Sequence, residues 1–205
     1  MTGGKAPAEA NPPEVSPEVS DADRPTEPAG RPEPDQGPED DRVSKVSDVD
    51  RAAVAAQLGR PPRGMRAVAH RCPCGLPAVV RTNPRLEDGT PFPTLYYLTC
   101  SRLCSLVGGL EARGRMREMT ERLRTDPALA QAYRRAHERY LAERDSIEPL
   151  GTQVTAGGMP NRVKCLHALV GHALAAGPGV NPFGDEVLAE VGEWWRPGPC
   201  VRVDE

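Results

Sequence analysis

The sequence predicts an α+β fold. A small N-terminal strand and hairpin region is followed by a helical half, and a disordered acidic tail precedes both. Three observations carry this reading. Short β-forming runs fall between residues 66 and 99. From Ser101 onward, apolar residues recur at helical spacing. Residues 1–42 hold nine prolines and many acids, with too little apolar surface to offset the entropy of ordering. Strands early and helices late, without alternation, are the mark of α+β. The expected divisions are a Pro-rich acidic tail over 1–43, one α+β domain over 44–195 and a C-terminal tail over 196–205.

The elements follow in order. Ser47 and Asp50 form a capping-box pattern, so a short helix carries Val49, Ala52, Ala53, Ala56 and Gln57. Gly59 and Pro61-Pro62 stop it. Strands are expected over 66–70, 77–81 and 94–99, the last rich in β-formers. Between the last two, Asp88-Gly89 and three prolines make a turn-rich loop. Helices are expected from about Arg102 to Arg113, with Leu103, Leu106, Val107 and Leu110 on one face, and on to about Arg124. Asp126-Pro127 opens the next, a cap followed by proline at the first helical position. Its stripe is Leu129, Tyr133, Ala136, Tyr140 and Leu141. After glycines 151, 157 and 158, a helix is expected over 161–176. Asn181-Pro182-Phe183-Gly184 reads as a tight loop, and a short helix runs from Asp185 to Trp194-Trp195.

Composition excludes several classes. Hydrophobic residues are 38% of the chain and aromatics 4%, which excludes a large core spanning all 205 residues. No run of about 18 apolar residues occurs, so no membrane helix is expected. No charged-then-apolar leader opens the sequence, so the cytoplasm is the expected location. Residues 1–50 carry 13 acids and 5 bases, and the remainder 16 acids and 21 bases. The basic stretch of Arg113, Arg115, Arg117, Arg122 and Arg124 is diluted by Glu111, Glu118 and Glu121. A nucleic-acid module shows a more lopsided charge, so nucleic acid is not an expected partner.

The cysteines carry the chemistry. Six occur: Cys72, Cys74, Cys100, Cys104, Cys165 and Cys200. In a reducing compartment, clustered Cys and His point to metal or catalysis rather than disulfides. Cys72-x-Cys74 and Cys100-x3-Cys104 would form a tetrathiolate within one hairpin. Zinc is the first cofactor this suggests, and an iron–sulfur cluster the alternative. Small buried thiols are the competing explanation. Cys165 and His167 point about 200° apart on a regular helix. They converge only if the helix starts between them. Cys165 and His172 share a helical face, and as a thiol–imidazole pair they are the catalytic candidates.

Several motif words occur in a fixed order. They are Arg71-Cys72-Pro73 with Gly75 and Pro77-Ala78-Val79; Asp88-Gly89-Thr90-Pro91-Phe92-Pro93-Thr94-Leu95-Tyr96-Tyr97-Leu98-Thr99-Cys100; Gly157-Gly158 with Arg162-Val163-Lys164-Cys165-Leu166-His167 and His172-Ala173-Leu174-Ala175; and Asn181-Pro182-Phe183-Gly184. Over residues 52–190 the chain resembles a bacterial, actinobacterial-type family catalogued as a domain of unknown function, number five hundred and one. The resemblance implies no activity. It implies a gene setting near enolase, a septum-formation coiled-coil protein and an exopolyphosphatase, hence a cell-division or polyphosphate-related partner. Cys72, Cys100, Cys165, His167 and His172 fall on its motif words, whereas Cys74 and Cys104 do not. The resemblance therefore favours a site where Cys72, Cys100 and Cys165 converge with a histidine, and leaves Cys74 and Cys104 as weaker ligands.

Two functional expectations follow. One is a zinc-like Cys/His site that closes a small domain or supports protein interaction. The other is a thiol–imidazole enzyme using Cys165 and His172 on an anionic, for instance phosphate-bearing, substrate. Arg71, Arg162 or Lys164 would bind the anion, with Gly157-Gly158 offering backbone N–H groups.

Overall fold

In the computed structural model, which describes residues 44–202, Ser47 opens α1 (Asp48–Leu58) through a complete capping box. Its Oγ accepts from the Asp50 N–H at 3.1 Å, and the Asp50 carboxylate accepts from the Ser47 N–H at 3.2 Å. Gly59 closes the helix in the left-handed conformation, at φ +68, as a glycine past a helix end does. The expected acidic tail over 1–43 lies outside the described residues.

Four antiparallel strands form one sheet in chain order: β1 (Ser44–Lys45), β2 (Met65–Arg71), β3 (Pro77–Thr82) and β4 (Tyr96–Leu98). The pairing sets Val80 opposite both Val68 and Tyr97. Side chains alternate faces along a strand, and β3 uses both. Val80 joins Val54, Met65 and Val68 beneath α1, while Val79 enters the main core with Leu98, Leu103 and Leu169. A strand covered on both faces is apolar along its covered length, and β3 is apolar from Pro77 to Val80 before Arg81 and Thr82 end it.

The helical half begins with α2 (Ser101–Ala112), α3 (Arg115–Thr125) and α4 (Pro127–Asp145). Leu103, Val107 and Leu110 of α2 are buried, but Leu106 faces solvent. Asp126 caps α4 by accepting from the Leu129 N–H at 3.0 Å, ahead of Pro127 at the first helical position. Two helices follow, α5 (Leu166–Ala176) and α6 (Pro182–Val191). The expected loop at Asn181-Pro182-Phe183-Gly184 is instead the start of α6. The Asn181 side chain caps it at the Gly184 N–H, and Pro182 suits the first turn.

α5 also departs from expectation, starting at Leu166 rather than 161. The backbone donors before it are engaged elsewhere. The Val163 N–H donates to Thr120 Oγ1 at 3.0 Å, and the Lys164 N–H to the Gly157 carbonyl at 2.7 Å. Cys165 is therefore the extended N-cap, and the helix starts between Cys165 and His167. α5 packs across β4 and against α6. A Cβ on Gly171 would come within 2.9 Å of the Tyr96 carbonyl oxygen, so the close approach of helix to strand requires glycine there. Among the described residues, no helix is long and apolar enough to cross a membrane.

Candidate metal centre

Glu111 sits near the C-terminal end of α2, against the start of α5. Its Oε1 accepts from the Leu166 N–H at 2.6 Å, one of the donors a helix start leaves without an internal partner. The same oxygen lies 3.1 Å from His167 Nδ1. On the far side of the ring, His167 Nε2 lies 3.1 Å from the Cys104 carbonyl oxygen. Both partners can only accept, so both ring nitrogens carry hydrogen and the ring is an imidazolium. The Cys165 thiol beside it, and then Glu111, raise the pKa of His167 to about 9. Cys165 is placed there because the helix starts just after it.

The ligand atoms of Glu111, Cys165 and His167 lie within 4.8 Å of one another, the one such group among the described residues. Thiolate, imidazole and carboxylate are all zinc ligands. In this arrangement Nδ1 faces the group, and Nε2–H is held by a backbone carbonyl. A metal-binding histidine is usually held in this way. Cys165 and His167 line a cleft of about 690 Å³, walled also by Tyr96, Thr99, Ser101 and Cys104. Among the described residues lining it, none is Lys or Arg. A smaller cavity of about 260 Å³, between Leu58 and Tyr97, has no Cys, His or acid in its lining.

The other expected residues lie apart. His172 is fully buried in α5. Its Nδ1 accepts from Asn181 Nδ2 at 3.2 Å, and its ring stacks on Tyr96 and meets the edge of Tyr140. Burial lowers its pKa to about 4, so it is a neutral core residue. It stands outside the Glu111 group. Cys72, at the end of β2, touches Cys74, and Cys100, the N-cap of α2, touches Cys200. The Cys104 thiol donates to the Leu98 carbonyl at 3.6 Å. Arg71 makes a two-pronged ion pair with Asp50, at 2.7 and 2.9 Å, and Arg162 and Lys164 are exposed.

Residues 68–189 match the family described as Protein of unknown function (DUF501). The chain belongs to this family. The DUF501 segment holds Glu111, Cys165 and His167, together with five of the six cysteines. α1, Trp194 and Cys200 lie outside it. No curated protein and no solved structure matches the chain.

Glu111 is the candidate site residue that the sequence presents only as a charge diluting an arginine run. No local pattern marks it, since it meets His167 from 56 positions away.

Proposed function

We propose that this DUF501 protein binds one divalent ion, zinc in character, through Glu111, Cys165 and His167. One observation carries the reading: three ligand atoms from two separate chain segments lie within 4.8 Å of one another. The ion takes the place of the proton on His167 Nδ1, and the Cys104 carbonyl keeps hold of Nε2–H. It ties α2 to the start of α5, as a structural ion does. Three protein ligands also leave a coordination position open, and open positions mark zinc sites that bind or transform a ligand. The cleft at about 690 Å³ is within the range of small-molecule sites. We take the site to be cytoplasmic, where its thiol stays reduced.

The test is metal content per chain, on protein purified without oxygen or added metal. Glu111→Gln and His167→Ala should each carry one equivalent fewer than the wild type. Glu111→Gln keeps an oxygen to accept the Leu166 N–H, so its fold should persist. Unchanged metal content in both variants overturns the reading. A brown chromophore lost in both would make the metal iron–sulfur rather than zinc.

The contact between Cys165 and His167 favours a second reading, a thiol–imidazole pair oriented by Glu111. Any anionic substrate would then rely on the His167 imidazolium, because the cleft lining lacks Lys and Arg. In metal-free protein, Cys165 should react with iodoacetamide at neutral pH, and His167→Ala should slow it. Equal rates in the two proteins would leave Cys165 an ordinary thiol.

A further inference from the structure

Four of the six thiols gather at the other end of α2. Cys100 and Glu111 are eleven residues apart on this helix, about 16 Å along its axis, so this corner is distinct from the Glu111 group. The turn between β2 and β3 supplies two thiols. The Cys72 N–H donates to the Leu76 carbonyl at 2.9 Å, and the Gly75 N–H to the Cys72 carbonyl at 2.8 Å. Gly75 has φ +89, which the tight turn demands. The Cys72 and Cys74 thiols are in contact.

The other pair is Cys100 and Cys200, also in contact. Cys72 and Cys100 are near enough that a charge on either is felt by the other. Cys200 is held in place by several groups. Arg102 donates to the carbonyls of Trp194, Gly198 and Pro199 at 3.3, 2.6 and 3.2 Å. Ser101 Oγ reaches the Cys200 carbonyl at 3.4 Å, and Gln57 Nε2 donates to Cys200 Sγ at 3.3 Å.

Gln57 Nε2–H donates to Cys200 Sγ, while Cys100, as the N-cap of α2, makes no capping hydrogen bond through its side chain and the buried indole N–H of Trp194 has no hydrogen-bond partner. Three chain segments thus bring four thiols to one corner, and clustered thiols from separate segments are the ligand set of a closed zinc site.

We infer that Cys72, Cys74, Cys100 and Cys200 form a closed tetrathiolate site for a zinc-type ion, clamping the C-terminal segment onto the β2–β3 turn and α2. The sulfurs stand as two touching pairs. No three of the four sulfurs lie within 4.8 Å of one another, the Glu111 group being the one such set among the described residues, so the pairs close on the ion by rotamer changes, each of which moves a sulfur by about 3 Å. Four thiol protons leave to solvent as the ion binds. Cys104 has no part in this site, and Cys200 takes the place the hairpin spacing gave it.

The test uses the full chain, reduced and metal-free, titrated with cobalt(II). The wild type should bind cobalt with the ligand-field and charge-transfer bands of a tetrathiolate. Cys200→Ser and Cys74→Ser should each lose those bands and one equivalent of metal. Cys104→Ser and His167→Ala should keep the bands. Absence of the bands in the wild type overturns the inference, whether or not any variant folds. So does their survival in Cys200→Ser or their loss in Cys104→Ser. Failure of the Glu111 site would leave the tetrathiolate bands in place, so the two proposals fail separately.

Discussion

Glu111 and His167 meet through Oε1 and Nδ1 at 3.1 Å, and that contact adds to the effect of Cys165 in keeping the ring charged. His167 shifts from the ordinary 6.5 to about 9, first through Cys165 and then through Glu111. A folded-state pKa above the unfolded one stabilises the protein fully below the unfolded value, and the gain disappears as pH rises through the folded value. Metal-free protein should therefore melt at falling temperature as pH rises from 6.5 to 9. His167→Gln should flatten that slope. Melts followed by circular dichroism, with chelator present, provide the check. An equally steep slope in His167→Gln would assign it to other groups.

His172 should contribute to stability and not to metal binding. Leucine there fills similar volume but removes the acceptor for Asn181 Nδ2. A lost buried hydrogen bond costs about 1–3 kcal/mol. Asn181→Ala should cost at least as much, because Asn181 also caps α6. Denaturant melts give these costs. Metal content should match the wild type in both variants, and a lost equivalent in His172→Leu would return His172 to the ligand set.

The α5–α6 crossing should not tolerate a methyl group at Gly184. A Cβ there would press on the Leu169 carbonyl and lie 2.6 Å from Ala173 Cβ. Overpacking of a rigid contact costs about 1–3 kcal/mol. Gly184→Ala should lower the denaturation midpoint accordingly, whereas Gly59→Ala should show only the smaller cost of its positive φ, having open space around it. Equal costs at the two sites would mean the helices can slide apart.

Arg144 is fully buried and acts as a post for the chain that follows α4. Its guanidinium donates to the carbonyls of Val154 and Thr152 at 2.6 and 2.7 Å and to Asp145 at 2.8 Å. Arg144→Ala removes all of these, at about 3 kcal/mol. Hydrogen exchange should quicken first around residues 152–158, next to the cleft wall at Ala156 and Gly157. Uniform quickening across the fold would argue against a local role.

The elements that local chemistry specifies were legible in the sequence. The Ser47/Asp50 capping box and Asp126-Pro127 each carry their own signal and form where expected, and the strand expected over 94–99 forms over Tyr96–Leu98. The start of α5 was not legible, because Thr120 and Gly157 take its would-be donors from outside the local sequence. That start matters most for the site, since it alone lets Cys165 and His167 converge. The pairing of Cys165 with His172 looked sound on helical spacing, but spacing cannot weigh the burial of His172 between Tyr96 and Tyr140. Glu111 was hidden for the same reason. Its partners are 55 and 56 residues away, and its own helix needs no acid there.

The side chain of Gln57 bridges two places, with Nε2 at 2.8 Å from the Pro77 carbonyl and 3.3 Å from Cys200 Sγ. One amide from the first helix thus joins a strand edge to the last described stretch of chain. Cutting the polypeptide back to residues 68–189 would remove Gln57 and Cys200 and leave the Pro77 carbonyl without this donor. Val68 and Val80 would lose the cover of Val54, and Cys72 the cover of Trp194. The stretch that carries the shared pattern is thus narrower than the stretch that folds, and an excised fragment should be sticky and prone to oxidation where the intact chain is sealed.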